Sequence, residues 1–247
     1  MTFMKKLIPL LFVVLAFSCT KNNNSPTSLP NSYSNQSLGA SANDLLSAKK
    51  YTGLNIQIQY MPGYQPDATV INNVYNFLNS RCNKPGGISI TQEQIAANGN
   101  NLTPNDVAII EKQDRTAYTN GSTIDLYVLI TDGEDTSTTI LGFGYRNTSI
   151  CLFGKTMYNN SGGLGQVSRR SLESAVMEHE LGHLMGLVNI GTPMVTNHID
   201  PAHGNHCNNQ DCLMYYATES KLTIGNFNNI PQLDANCLAD LQANGGK

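Results

Sequence analysis

The chain has 247 residues, of which 40% are apolar and 13% are charged, and its formal net charge is −3. This length suits one large domain or two small ones, and the apolar content is sufficient for a proper core. No basic patch stands out, so nucleic acid is not an expected partner. After residue 18 no apolar run approaches the roughly 20 residues that a membrane-spanning helix needs.

The N-terminus has the pattern of an export signal. Lys5 and Lys6 precede an apolar run, Leu7–Phe17, which is followed by Ser18 and Cys19. The run is too short to span a bilayer, but a charged, apolar and then small segment is typical of a signal peptide. The cysteine after this segment resembles a bacterial lipoprotein signal, which implies cleavage before Cys19 and lipid on its thiol. An ordinary signal peptide with an incidental cysteine is the alternative.

Three segments are predicted along the chain. Residues 1–18 form the signal peptide, residues 19–50 a flexible tether, and residues 51–247 one folded domain. The tether segment is rich in Asn and Ser and has few large apolar side chains, so burial could not offset the entropy lost on ordering it. We therefore expect an exported protein that lipid at Cys19 anchors to a membrane.

The periodicity of the apolar residues predicts alternating strands and helices within the domain. Strand patterns lie at Leu54–Tyr60, Ile124–Ile130, Ile140–Tyr145 and Ser149–Phe153. Helix patterns lie at Val70–Leu78, from Thr103-Pro104 onward, from Ser168–Ser171 to Gly186, and at Pro231–Leu241. This order, with a mostly irregular C-terminal part, indicates a single α+β domain.

The stretch Glu178–Leu187 contains an H-E-x-x-H motif within the third predicted helix. His179 and His183 lie on one helix face, roughly 6 Å apart along the axis. Two imidazoles so placed can bind one zinc ion, and Glu180 between them can act as the base toward a water that the ion activates. A core helix that carries two histidines without a metal is the alternative.

A third ligand is expected because a catalytic zinc usually takes three from the protein. With Gly186 the motif becomes H-E-x-x-H-x-x-G, which resembles the metzincin metallopeptidases. In that family a histidine follows the glycine by three residues, where this chain has Asn189. Farther on, a run from His206 to Met214 reads H-C-x4-C-x-M and is similar to the archaemetzincin signature. Residues 189–205 are therefore interpreted as an insertion and His206 as the displaced third ligand.

The resemblance extends from Glu178 to Tyr216. It implies a metzincin-like α+β domain with a twisted mixed sheet, an active-site helix and a largely irregular C-terminal subdomain. It also implies a Zn²⁺-dependent peptidase that hydrolyses peptide bonds. In such an enzyme Met214 would lie in a tight turn beneath the metal, and Tyr216 could donate a hydrogen bond to the oxyanion. Ser149–Phe153 could be the edge strand that pairs with an extended peptide substrate.

Several alternatives stay open at this stage. His198 and His203 compete with His206 as the third ligand. A gluzincin-type peptidase would use a downstream glutamate, for which Glu219 is the nearby candidate. An inactive lipoprotein that binds peptide or glycan on the same scaffold is a further possibility, although the intact Glu180 argues against it. The protein is expected to be a monomer.

The cysteines are expected to form disulfides, the default outside the cytoplasm. Cys207 and Cys212 are close in sequence and are predicted to bridge to each other. The partners of the other three domain cysteines are left open: Cys82, Cys151 and Cys237. A cysteine-based metal site is the alternative, but the sequence has no C-x-x-C pair, so a second metal is not expected.

Overall fold

A five-stranded mixed sheet lies at the centre of the protein, for which a computed structural model describes residues 27–137, 139–220 and 229–247. The spatial order of the strands is β2-β1-β3-β5-β4. All neighbours are parallel except β4 and β5, which are antiparallel. The strands are β1 (Gly53–Tyr60), β2 (Ile88–Gln94), β3 (Thr123–Thr131), β4 (Gly142–Arg146) and β5 (Ser149–Phe153).

Helices cover both faces of this sheet, which confirms the predicted α+β class. They are α1 (Ala42–Leu46), α2 (Ala68–Arg81), α3 (Pro104–Asp114), α4 (Gly154–Asn159), α5 (Arg169–Leu184) and α6 (Ala235–Ala243), with short 3-10 turns at Ser32–Asn35 and Tyr216–Glu219. The capping residue that the sequence shows before the second predicted helix is present in the structure. Thr103 caps α3 in a reciprocal capping box with Asp106, and Pro104 is the first helical residue.

Strand β3 shows how two apolar layers share one sheet. Leu126, Val128 and Ile130 face a core that includes side chains of α2 and α5. Tyr127 and Leu129, on alternate positions, face a second core that includes side chains of α3. A strand buried on both faces reads as a continuous apolar run, and this explains why its sequence pattern was so clear.

The predicted strands and helices are all present, with some differences at their edges. The last helix, α6, begins at Ala235 rather than near Pro231, because Asp234 accepts a hydrogen bond from Cys237 N and caps it there. Strand β2 was not predicted, since most of its side chains are exposed and carry little apolar pattern.

The prediction that Ser149–Phe153 is an edge strand is wrong. Ser149–Phe153, now β5, lies between β3 and β4, and all five of its residues are buried. The free edge next to α5 belongs to β4, Gly142–Arg146. The reason is a reversal: β4 joins the sheet outside β5 and antiparallel to it, so the later strand in the chain becomes the inner one.

The described part of the predicted tether is packed onto the domain instead. Leu45 and Leu46 are fully buried in the main core. The buried ammonium of Lys84 donates to three backbone carbonyls of this segment, at 2.7–2.8 Å: those of Asp44, Ser47 and Tyr51. The folded domain therefore begins before residue 51.

The predicted signal peptide, Cys19 and the tether as far as residue 26 lie outside the described residues. Within the described ranges, no helix has the length and apolar character needed to cross a membrane.

Candidate metal centre

The end of α5 turns the chain sharply just beyond the H-E-x-x-H motif. Leu187 N donates to Gly182 O, and Gly186 N donates to His183 O, at 3.1 and 3.0 Å. This pair of bonds is the Schellman arrangement, which needs a left-handed residue, and Gly186 has φ = +77°. A Cβ at Gly186 would come within 2.5 Å of Thr192 N. The glycine predicted to end the helix is thus required by both conformation and space.

Three histidines meet above this helix end. His179 Nε2 and His183 Nε2 are 3.1 Å apart. The ring of His206 lies 5.4 Å from that of His179 and 5.3 Å from that of His183, measured between centroids. A carboxylate oxygen of Glu219 joins them, so that four donor atoms lie within 4.8 Å of one another. Of the three histidines that competed for the third position, the structure brings His206 to the cluster.

The hydrogen bonds on the far side of two rings fix their tautomers. His179 Nδ1 is 2.7 Å from Leu213 O, and His206 Nδ1 is 2.8 Å from His203 O. A carbonyl oxygen only accepts, so each Nδ1 carries a proton, and each ring directs Nε2 into the cluster; in the neutral form Nε2 offers a lone pair there. Backbone partners of this kind typically orient metal-binding histidines.

These lone pairs face a carboxylate, which requires a positive charge between them. The Glu219 oxygens are 3.2 Å from His206 Nε2 and 3.6 Å from His179 Nε2. Burial lowers the pKa of His183 well below its ordinary value, and the neighbouring His179 lowers it further. Neutral imidazoles beside a carboxylate form a donor set that suits Zn²⁺. The residues present therefore fit the metal that the sequence pattern predicts.

Glu180 lies beside this cluster, fully buried. Its carboxyl group faces the backbone N–H of Gly144 and the carboxyl group of Glu219, although neither oxygen makes a hydrogen bond of good geometry among the described residues. Burial raises the pKa of Glu180 well above its usual range, and the negative charge of Glu219 raises it further. A Cβ placed on Gly142 would lie 3.4 Å from Glu180 Cγ, so the edge strand β4 runs directly past this side chain.

A tight turn supports the cluster from below. Tyr215 N donates to Cys212 O at 3.0 Å, which closes a four-residue turn with Met214 at its third position. The sulfur of Met214 packs so closely on Gly182 of α5 that a Cβ there would overlap it. The same turn provides Leu213 O, the partner of His179. Met214 thus lies in a tight turn against α5, and its place beneath a metal ion stays a prediction.

Tyr216 contacts the third histidine's loop. Its ring stacks on that of His203, with centroids 3.5 Å apart and planes 7° from parallel. His203 is exposed and is paired with Asp200 at 2.6 Å, and its backbone carbonyl holds His206. The contacts of Tyr216 therefore indicate a residue that positions His206 through His203.

A second donor cluster lies nearby and includes the remaining histidine of the insertion. His198 Nδ1 is 3.3 Å from Cys207 Sγ and 3.9 Å from Cys237 Sγ. Cys212 Sγ is 3.6 Å from Cys237 Sγ. The other nitrogen of His198 is fixed by buried Asp240 at 2.8 Å. Donor atoms of His198, Cys207, Asp234 and Cys237 lie within 4.8 Å of one another, and the thiol of Cys212 lies next to that of Cys237.

The expected bridge between Cys207 and Cys212 is not formed. All five described cysteines are free, and the sulfurs of Cys212 and Cys237, 3.6 Å apart, are also well beyond the roughly 2.05 Å of a disulfide. Hydrogen bonds from Cys207 and Cys237 lower the pKa of the Cys212 thiol to about 4. The absence of a C-x-x-C pair argued against a second metal, but that local rule missed donors that lie far apart in sequence.

Helix α5, which carries the H-E-x-x-H motif, packs on one face of the mixed sheet. Comparisons with known protein families and with curated proteins find no match for the sequence. Among solved structures, the chain is similar to archaemetzincin from Methanopyrus kandleri, with a TM-score of 0.52 and 12% identity, over 78% of this chain and 96% of that one. The fold is therefore archaemetzincin-like.

A second solved structure, metalloproteinase-II from Bacteroides fragilis, has a TM-score of 0.44 and 12% identity, over 80% of this chain and 54% of that chain.

Proposed function

We propose that the protein is a zinc-dependent peptidase of the metzincin type. The observation that carries this proposal is the convergence of three imidazoles beside the buried carboxyl group of Glu180. His179, His183 and His206 would hold the ion. A bound zinc would polarise the scissile carbonyl and lower the pKa of a water molecule.

Glu180 supplies the proton transfers in this scheme. Its carboxylate lies in a water-poor environment between the helix and β4, where it would accept a proton from the attacking water and deliver it to the leaving amine. Burial of a carboxyl group beside a second carboxylate, that of Glu219, is costly. This supports a catalytic role over a pure binding scaffold.

The substrate would lie along β4. This strand is the free edge of the sheet on the side of α5, and its backbone passes next to Glu180. An extended peptide could add to the edge by main-chain hydrogen bonds, which are independent of side-chain identity. We therefore assign to β4 the role that the sequence pattern suggested for Ser149–Phe153, and we expect peptides or proteins as substrates.

Tyr216 is proposed as a positioning residue. Its stacking on His203 places it behind the third ligand, and this arrangement supports the orientation of His206 more directly than a hydrogen bond to an oxyanion.

We also propose that the second cluster holds a structural metal ion, with His198, Cys207, Cys212 and Cys237 as ligands. Three thiols and one imidazole are a common set for structural zinc. N–H groups of Met214 and Asp234 point at Cys212 Sγ at 3.4 Å, which favours a thiolate.

The cellular site remains the proposal that the N-terminus supports: an exported monomer anchored to a membrane through lipid at Cys19. Detection of a diacylglyceryl group on Cys19 by mass spectrometry of the purified protein tests it, and an unmodified Cys19 in the mature chain would contradict it.

The catalytic proposal is tested with Glu180→Gln in the purified full-length protein. The variant should retain the zinc content of the wild type and cleave an unstructured protein such as casein about 10²- to 10⁴-fold more slowly. Glu173→Gln is a matched control, because Glu173 is a buried carboxyl on the same helix and should leave cleavage unchanged. Full activity in Glu180→Gln would refute its role as the base.

The third ligand is tested by comparing zinc content in His206→Ala and His203→Ala. We expect the first to lose one equivalent and the second to keep it. Zinc binding without cleavage of any tested protein would favour the inactive binding scaffold instead.

A further inference from the structure

Glu219 lies at the metal cluster in addition to the three histidines, and its carboxylate contacts two of them. It ends the 3-10 turn Tyr216–Glu219 that follows the methionine turn. Its two oxygens approach two different ring nitrogens, at 3.2 Å from His206 Nε2 and 3.6 Å from His179 Nε2. Both nitrogens are held as lone-pair donors by the carbonyls behind them, as described above.

Three separations among these donor atoms are close to the spacing of ligands around one tetrahedral ion, with the two Glu219 distances made by its two different oxygens. With zinc–ligand bonds of about 2.0–2.1 Å, tetrahedral geometry places neighbouring donors about 3.3–3.4 Å apart. The observed separations are 3.1 Å between His179 and His183, 3.2 Å between His206 and Glu219, and 3.6 Å between His179 and Glu219. A catalytic zinc site keeps its fourth position open, and a carboxylate oxygen of Glu219 lies close enough to the three histidines that it would take this position on a bound ion.

Glu219 is held there by the edge of the sheet. Its carbonyl accepts a hydrogen bond from Leu141 N at 2.8 Å, and the next residue, Ser220, forms an antiparallel bridge with Ile140. Both contacts are made immediately before β4 begins at Gly142. The segment therefore pairs with the chain at the entrance to the strand along which a peptide would lie.

We propose that Glu219 is a fourth protein ligand that closes the metal site, and that it must leave the ion before a peptide can bind. The inference rests on the proposed metal site and adds a resting state to it. Displacement is feasible because Glu219 is 23% exposed at its side chain. Two of the histidines, by contrast, are fixed on the long helix α5.

A simpler arrangement would make the opposite prediction. If Glu219 were only a counter-ion for protonated histidines, zinc would displace both protons and carboxylate. Removing the carboxylate would then leave zinc affinity unchanged or strengthen it. If Glu219 is a ligand, removing it must weaken zinc binding. The sign of the change separates the two.

The test measures zinc affinity by chelator competition in the full-length wild type, Glu219→Ala and Glu219→Gln. Glu134→Gln is the control, since Glu134 is equally exposed, at 22%, and pairs with Lys155 on the surface at 3.5 Å. We expect both Glu219 variants to bind zinc at the histidine site at least about tenfold more weakly, and Glu134→Gln to match the wild type. The cobalt-substituted forms should differ in their visible absorption, which reports the loss of one protein ligand.

The outcomes distinguish this inference from the peptidase proposal. Weaker zinc binding with no cleavage by any form would support the ligand and refute the peptidase. Cleavage with unchanged zinc affinity and an unchanged cobalt spectrum would refute the ligand and leave the peptidase standing. If both proposals hold, Glu219→Ala should cleave peptide faster than the wild type at saturating zinc, because no carboxylate has to leave first. A wild type that binds no metal at the histidines overturns the inference.

Discussion

Replacing Gly186 with alanine tests whether the turn after α5 needs glycine only for its left-handed conformation or also for the close contact with neighbouring residues. Two costs add at this position. A left-handed conformation costs an L-residue about 1–2 kcal/mol. The new Cβ would also lie 2.5 Å from Thr192 N and 2.8 Å from Ala42 Cβ, and such overpacking costs about 1–3 kcal/mol. Gly186→Ala should therefore lower the free energy of unfolding by about 2–5 kcal/mol.

Gly165 provides the matched control. Its φ of +76° is nearly that of Gly186, but a Cβ there would meet nothing within 4 Å. Gly165→Ala should cost only the conformational part, about 1–2 kcal/mol. Denaturant unfolding followed by circular dichroism measures both variants, and the melting temperature of Gly186→Ala should fall by about 4–20 °C for a chain of this size.

The reasoning fails if the two variants lose the same stability, because the steric cost would then be absent. It also predicts weaker zinc binding in Gly186→Ala, since Thr192 and the start of the insertion must shift, whereas Gly165→Ala should bind zinc as the wild type does.

Three further predictions concern the rest of the domain. Lys84→Met leaves three buried carbonyls without their donor and should lower the free energy of unfolding by about 3 kcal/mol or more, with new protease cleavage near residues 44–51. The exposed Lys49→Met should have neither effect. If both variants resist the protease equally, the packing of this segment onto the domain is contradicted. Burial raises the pKa of Glu173 from 4.5 to about 7, so its protonated form adds stability below about pH 4.5 that is lost as the pH rises through 7. At about 1.4 kcal/mol per pKa unit the loss reaches at most about 3 kcal/mol, and unfolding at pH 5 and pH 8 should show that Glu173→Gln removes this part of the pH dependence. Cys237→Ser should release one of two bound zinc equivalents, measured by atomic absorption, while Cys151→Ser, in the interior strand, should release none.

The elements that the sequence predicted well are those with local causes. Helix α5 has its cap at Ser168, its two histidines four residues apart and its terminating Gly186 within 19 residues. Strand β3 is apolar on both faces because it is buried on both. In each case the residues that decide the structure are neighbours in sequence, so their pattern is readable without knowledge of the fold.

The errors concern contacts between distant residues. The segment before residue 51 looked too polar to fold, yet Leu45 and Leu46 fill a core built by other elements, and Lys84 fixes their backbone. Sheet order is also non-local. Nothing in Ser149–Phe153 indicates that β4, which precedes it, would lie outside it.

The position of the third ligand, His206, and that of the second cluster depend on each other. His206 and Cys207 are adjacent, and adjacent side chains on an extended chain point to opposite sides. One therefore serves the histidine cluster and the other the thiol cluster. Within the insertion, His198 contacts the same group of thiols. It lies beside Cys237, which is 39 residues farther along the chain than His198. Because the second cluster anchors Cys207, it also fixes where His206 stands, and the insertion could grow without moving the third ligand. A search for a histidine at a set distance from the helix cannot find this arrangement, since the constraint on His206 is the position of Cys207 in space.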